Sequence, residues 1–102
     1  MNTQDFITAV TEVVNNRLHQ QNLLPADEKI PEVFVRETLQ SIEDLEYKIL
    51  QDTPIVDNFR AQEANEVIEN WLPENITSSA DINSAQIFND LRSRGWHIIA
   101  PQ

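Results

Sequence analysis

The sequence predicts an all-α fold, a compact four-helix domain with a short extended C-terminal segment. Three observations carry the prediction. Apolar residues recur at spacings of three and four through most of the chain, the period of one helical face. Prolines at positions 25, 31, 54 and 73 cut this pattern into helix-length pieces. Gly95, the one glycine, follows the last periodic stretch, where a left-handed helix cap is wanted. With 102 residues the chain is expected to form one domain, 1–102, around a modest core.

The first helix is expected from residue 3 to about 21. Phe6, Ile7, Val10, Val13, Val14 and Leu18 form its apolar stripe, and Asn2 or Thr3 is a suitable cap. The β-branched pair Val13-Val14 lowers intrinsic helicity, so packing must hold this element. The polar run from Asn15 to Asn22 frays it toward Pro25, which disfavours helical geometry at Leu24. The connector PADEKIP places Ile30 just ahead of the next element as a core plug.

The longest amphipathic pattern is PEVFVRETLQSIEDLEYKIL, residues 31–50, and a central helix is expected to run on to about Gln51. Val35, Leu39, Ile42, Leu45 and Ile49 make its stripe, and Pro31 suits a first helical turn. A third helix is expected from Pro54 or Asp57 to Leu72. Ile55, Phe59, Ala64, Val67, Ile68, Trp71 and Leu72 lie on one side, and Pro73 stops it. After a polar loop over 73–82, a fourth helix is expected from Asn83 or Ser84 to Arg94, capped by Asp81 or Asn83. Trp96 to Ala100 then alternates as extended chain, with Trp96, Ile98 and Ala100 on one side. With no second strand expected, this segment lies across the core, pairs with its own copy in a homodimer, or adds to another protein's sheet edge.

Charge is the most informative functional feature. Seventeen acidic and seven basic residues give a net charge of −10. Residues 27–74 hold thirteen acids against Lys29, Arg36, Lys48 and Arg60, a net −9, while the flanking segments are near balance. Such a chain is repelled by nucleic acid and by anionic membranes and attracted to basic protein surfaces. No direct nucleic-acid binding and no membrane association are therefore expected. No run of about 18 apolar residues occurs, and MNTQDFITAV has neither a basic segment nor an uninterrupted apolar one, so a cytoplasmic location is expected. The absence of cysteine removes disulfides, thiolate ligands and cysteine nucleophiles.

Catalytic and cofactor motifs are missing. One glycine cannot build a phosphate-binding loop. His19 sits in a polar run and His97 in the terminal segment, with no nucleophile pattern near either. No E-x-x-H pair or EF-hand loop is present, and the Asn75-Ile76-Thr77 sequon carries no weight in a chain without a secretory signal. The expectation is no enzyme activity, no cofactor and no metal.

What remains is a binding surface. Its residues are expected to be Glu37, Glu43, Asp44 and Glu46 on the central helix, with Tyr47 exposed beside them, and Asp57, Glu63, Glu66 and Glu69 on the third helix. If the two helices are neighbours, these carboxylates make one negative patch able to imitate a phosphate backbone toward a basic protein surface. The competing reading is ordinary solubility chemistry, with Glu32–Arg36 and Asp44–Lys48 as i,i+4 pairs. In composition the chain resembles small phage and plasmid accessory proteins, among them anti-restriction and anti-CRISPR inhibitors. That resemblance implies a non-enzymatic inhibitor acting on a nucleic-acid-binding partner. The alternative is an assembly module that oligomerises through apolar helix faces and the C-terminal segment.

Overall fold

The computed structural model describes residues 2–52, 58–76 and 84–100. Four helices and two short strands follow in the order α1 (Asn2–Gln20), α2 (Glu32–Asp44), β1 (Lys48–Gln51), α3 (Asn58–Ile76), α4 (Ser84–Ser93) and β2 (Trp96–Ile99). The mostly helical class matches the sequence expectation. The helices form a ring in which α1 meets α2 and α4, and α3 meets α4 and α2. The chain is elongated, 41 × 22 × 22 Å, with a radius of gyration of 13.2 Å.

All six apolar residues of the predicted α1 stripe are buried, and with them Val35, Leu39 and Ile42 from α2, Ala64, Ile68 and Leu72 from α3, and Ile87, Phe88 and Leu91 from α4. A helical stripe of this kind has one stable place, against other stripes, and that is what closes the ring. Asn2 and Thr3, the expected caps, lie inside α1 rather than ahead of it. Asn15, placed by its polar neighbours in a fraying end, is instead buried. Its Nδ2 donates to the Ile30 carbonyl at 3.2 Å, and its Oδ1 accepts from the Ile30 N–H at 2.7 Å. This amide pair pins the connector to α1 and holds Ile30 against the core, as its position suggested.

The central helix is shorter than its periodicity implies. It ends at Asp44, the Leu45 and Glu46 N–H groups bond back to the Ile42 and Glu43 carbonyls, and Glu46 takes a left-handed φ of 65°. The chain then straightens into β1. Leu45, expected in the core stripe, is 59% exposed, and Ile49 reaches the core from a strand. Lys48 is therefore off the helix, and the expected i,i+4 pair with Asp44 does not form; Asp44 accepts from Gln40 instead.

The early stop is explained by the C-terminal segment. β2 pairs antiparallel with β1 in the register Lys48↔Ile99, Ile49↔Ile98, Leu50↔His97 and Gln51↔Trp96. The expectation that this segment lacks a strand partner within the chain is thus corrected. Its predicted sidedness holds, with Trp96 and Ile98 buried and Ala100 packed against the core. Trp96 stacks on Phe6 of α1, ring centroids 5.4 Å apart at 58°. A two-stranded ribbon is marginal alone and persists here because one face packs on the helices.

α3 also departs from expectation. It passes through Pro73 to Ile76, one turn beyond the predicted stop at Leu72. Proline forfeits one helical hydrogen bond. Burial of Ile76 offsets that loss, and within the added turn Asn75 Nδ2 donates to the Trp71 carbonyl at 2.9 Å. Val67, assigned to the buried side, is 42% exposed. The proposed α3 starts at Pro54 and Asp57, and the α4 caps Asp81 and Asn83, fall outside the described residues. α4 ends at Ser93, one residue short of the expected Arg94, and Gly95 takes the left-handed φ of 88° expected of it, its N–H bonded to the Arg92 carbonyl at 2.9 Å.

Candidate functional site

The predicted acidic residues separate into groups once the helices are placed. At about 100° per residue, Glu37 and Asp44 fall opposite the Val35–Leu39–Ile42 core stripe of α2, and both are exposed. Glu46 is exposed on the turn that follows. Glu63 and Glu66 lie opposite the Ala64–Ile68–Leu72 stripe of α3 and are also exposed. Four of these carboxylates face outward on two helices that touch one another, and Glu46 lies on the turn that leaves α2.

The remaining expected members differ. Glu43 is half-buried. Tyr47, expected at the surface, is half-buried and packs against the core, because the turn into β1 redirects it. Glu69 points toward α4, where it accepts from Arg92 Nη2 at 2.8 Å. Arg92 also lies over the Phe88 ring, 5.1 Å from its centroid. Asp57 lies outside the described residues. One contributor was missed: Glu74, exposed on the extra turn of α3, continues the outward face of Glu63 and Asn70 at helical spacing. Its spacing of four from Asn70 and eleven from Glu63 was the available signal, hidden by ending the helix at Pro73.

The cations are distributed unevenly. Arg17 of α1 grips Asp90 of α4 with two bonds, Nε at 2.8 Å and Nη2 at 3.0 Å. The hydrogen bond that Arg17 donates to Asp90 raises the Arg17 pKa above its ordinary value, so the guanidinium stays charged throughout the working pH range. Arg94 meets Glu12 at 3.3 Å, and Arg36 meets Glu32 at 3.4 Å. Gln4 bridges this last pair, donating to Glu32 and accepting from Arg36. Glu37, Asp44, Glu46, Glu63 and Glu66 take part in none of the four ion pairs among the described residues. The arginines of α4 and its C-terminal turn thus serve α1 and the inner edge of α3, while the outer faces of α2 and α3 keep a net negative charge.

The histidines sit apart from this surface. His19 Nε2 lies 2.7 Å from the Glu28 carbonyl, and His97 sits opposite Leu50 in the ribbon. No cluster of three metal-ligating side chains occurs among the described residues. Two grooves flank α1. One, of about 440 Å³, is lined by Thr11, Asn16, His19 and Lys29, and the other, of about 300 Å³, by Asp5, Glu12, Arg94 and Trp96. Among the described residues no helix is long and apolar enough to cross a membrane. No protein-family model, curated protein or solved structure matches the chain.

Proposed function

We propose that the protein is a small acidic binding module without enzymatic activity. It uses the outer faces of α2 and α3 to occupy a basic surface on a partner protein, and the partner class we favour is a nucleic-acid-binding protein inhibited by phosphate mimicry. One observation carries the reading. Glu37 and Asp44 of α2, Glu46 on the turn after it, and Glu63 and Glu66 of the adjoining α3 are exposed and take part in no ion pair among the described residues, although the same chain pairs its acids and arginines closely around α1 and α4. Uncompensated like charges on adjacent elements oppose the compact state. A basic partner turns that cost into binding free energy and into faster encounter.

The assembly alternative draws less support, because Trp96 and Ile98 of the C-terminal segment are spent in this chain's own core.

The test is co-purification from the native host's lysate, washed in parallel at about 0.1 M and about 1 M salt, where the screening length falls from about 10 Å to about 3 Å. The reading expects a basic, nucleic-acid-handling partner that is released by high salt. It also expects that partner to be lost from a Glu37→Lys, Asp44→Lys, Glu63→Lys, Glu66→Lys variant of unchanged helicity. A partner that survives both the high-salt wash and the four charge reversals would end the proposal.

A further inference from the structure

α2 ends where its sequence holds no stop. Between Glu32 and Gln51 there is no glycine, proline or asparagine, and most of residues 45–51, LEYKILQ, are good helix formers. The chain nevertheless leaves the helix after Asp44, Glu46 turns at φ 65°, and Lys48–Gln51 become β1. Three non-glycine residues have positive φ among those described, Asn22, Glu46 and Asp52. The short side chains of Asn and Asp suit that region, whereas for Glu it is disfavoured about five- to thirtyfold. The turn also leaves Leu45 59% exposed. What holds the segment extended is β2. The bond from Asp52 N–H to the Gly95 carbonyl sets the phase of the ladder, so Leu50↔His97 and Lys48↔Ile99 are the pairs that exchange N–H···O bonds. Trp96 and Ile98 of β2 are the buried members of the ribbon, while Ile49 and Leu50 of β1 are only half-buried. Opposing a longer helix is Glu46 itself, which four residues after Ile42 would point toward the core.

We propose that residues 45–51 form a helix–strand switch latched by β2. With β2 docked, the segment turns at Glu46 and pairs as β1. When β2 leaves, α2 runs on to about Gln51, Glu46 gives up its left-handed φ, and Lys48 comes one turn from Asp44, where the two pair at i,i+4. The switch stands on backbone geometry and local helix preference. Its consequence, that docking of β2 keeps a cation off the outer face of α2, rests on the acidic-surface reading above, and failure of that reading would leave the switch itself in place.

The test follows the Cα and Cβ chemical shifts of residues 45–51 in the full chain, with far-UV circular dichroism alongside. The His97→Pro, Ile99→Pro variant removes the N–H donors to the Leu50 and Lys48 carbonyls and keeps the Trp96 and Ile98 side chains. In it the shifts should turn from strand to helical values, and the helical dichroism should rise. Adding Glu46→Gly, which accepts φ 65° freely and weakens a helix, should push the balance back toward the turn at least about tenfold. Random-coil or strand shifts over 45–51 in the proline variant, with α1 to α4 intact, would overturn the inference. If that variant does not fold, a helical staple decides. Asp44→Cys, Lys48→Cys places two thiols at exposed positions in a chain with no cysteine of its own, one helical turn apart if α2 continues. Joined by a cross-linker of that length, the chain should keep its helices, and the His97 and Ile99 amides should lose their protection from hydrogen exchange. A stapled chain that unfolds, or one in which those amides stay protected, would overturn the inference as well.

Discussion

Gly95 joins two structural demands in one residue, and Gly95→Ala is the substitution that separates them. The residue closes α4 with a left-handed φ of 88°, a region that costs an L-residue with a side chain about 1–2 kcal/mol. It also lies under Asp52, whose N–H bonds to the Gly95 carbonyl at 2.8 Å as the ribbon begins. A Cβ built on Gly95 would overlap Asp52 Oδ1 and stand only 3.0 Å from its Cγ. Relieving that overlap means swinging the Asp52 carboxylate off its rotamer, at about 0.5–1.5 kcal/mol. The expected destabilisation is about 2–3 kcal/mol, equivalent to a fall in melting temperature of roughly 10–15 °C for a domain of this size. Urea unfolding followed by far-UV circular dichroism measures it, an unchanged slope showing that stability alone has moved. Asp52 itself has a φ of 54°, which glycine accepts freely. In an Asp52→Gly background, Gly95→Ala should therefore cost only its backbone share, about 1–2 kcal/mol. The steric argument is refuted if the alanine costs the same in both backgrounds. It is equally refuted if the single variant loses less than about 0.5 kcal/mol.

Two further outcomes follow from packing and from buried polar groups. Leu39→Ala should cost about 2–5 kcal/mol as a buried truncation, whereas Leu45→Ala, with its side chain largely in water, should change stability by under about 0.5 kcal/mol; equal costs in chemical denaturation would restore a central helix running to Gln51. Asn65 is buried on α3 with its Oδ1 unpartnered, so Asn65→Leu should be stabilising by about 1 kcal/mol, while Asn15→Ala, which strands the Ile30 backbone groups, should cost about 1–3 kcal/mol. Thermal unfolding of both variants checks the pair, and a loss of stability in Asn65→Leu would contradict the account of that amide.

What the sequence determined by itself was the set of helices and the residues they bury. The α1 stripe, the Val35–Leu39–Ile42 face and the Gly95 stop are local patterns, set by helical periodicity and by glycine's freedom at positive φ, and each is legible over a few turns of chain. The uneven charge and its concentration between residues 27 and 74 were equally plain. The tertiary structure decided where local patterns meet distant partners. Leu45 and Ile49 continue the α2 period, but pairing Ile49 with Ile98 and burying Trp96 against Phe6 satisfy more of the core than two further helical turns would, so the helix ends and the ribbon forms. Pro73 argues for a stop, yet burial of Ile76 carries α3 past it and adds Glu74 to the outer face. Glu69 reads like its neighbours Glu63 and Glu66 until α4 brings Arg92 to it. A chain's local preferences are worth tenths of a kcal/mol per residue, while burying one large apolar side chain is worth about 1.5–3 kcal/mol, so wherever the two disagree the contact made at long range prevails.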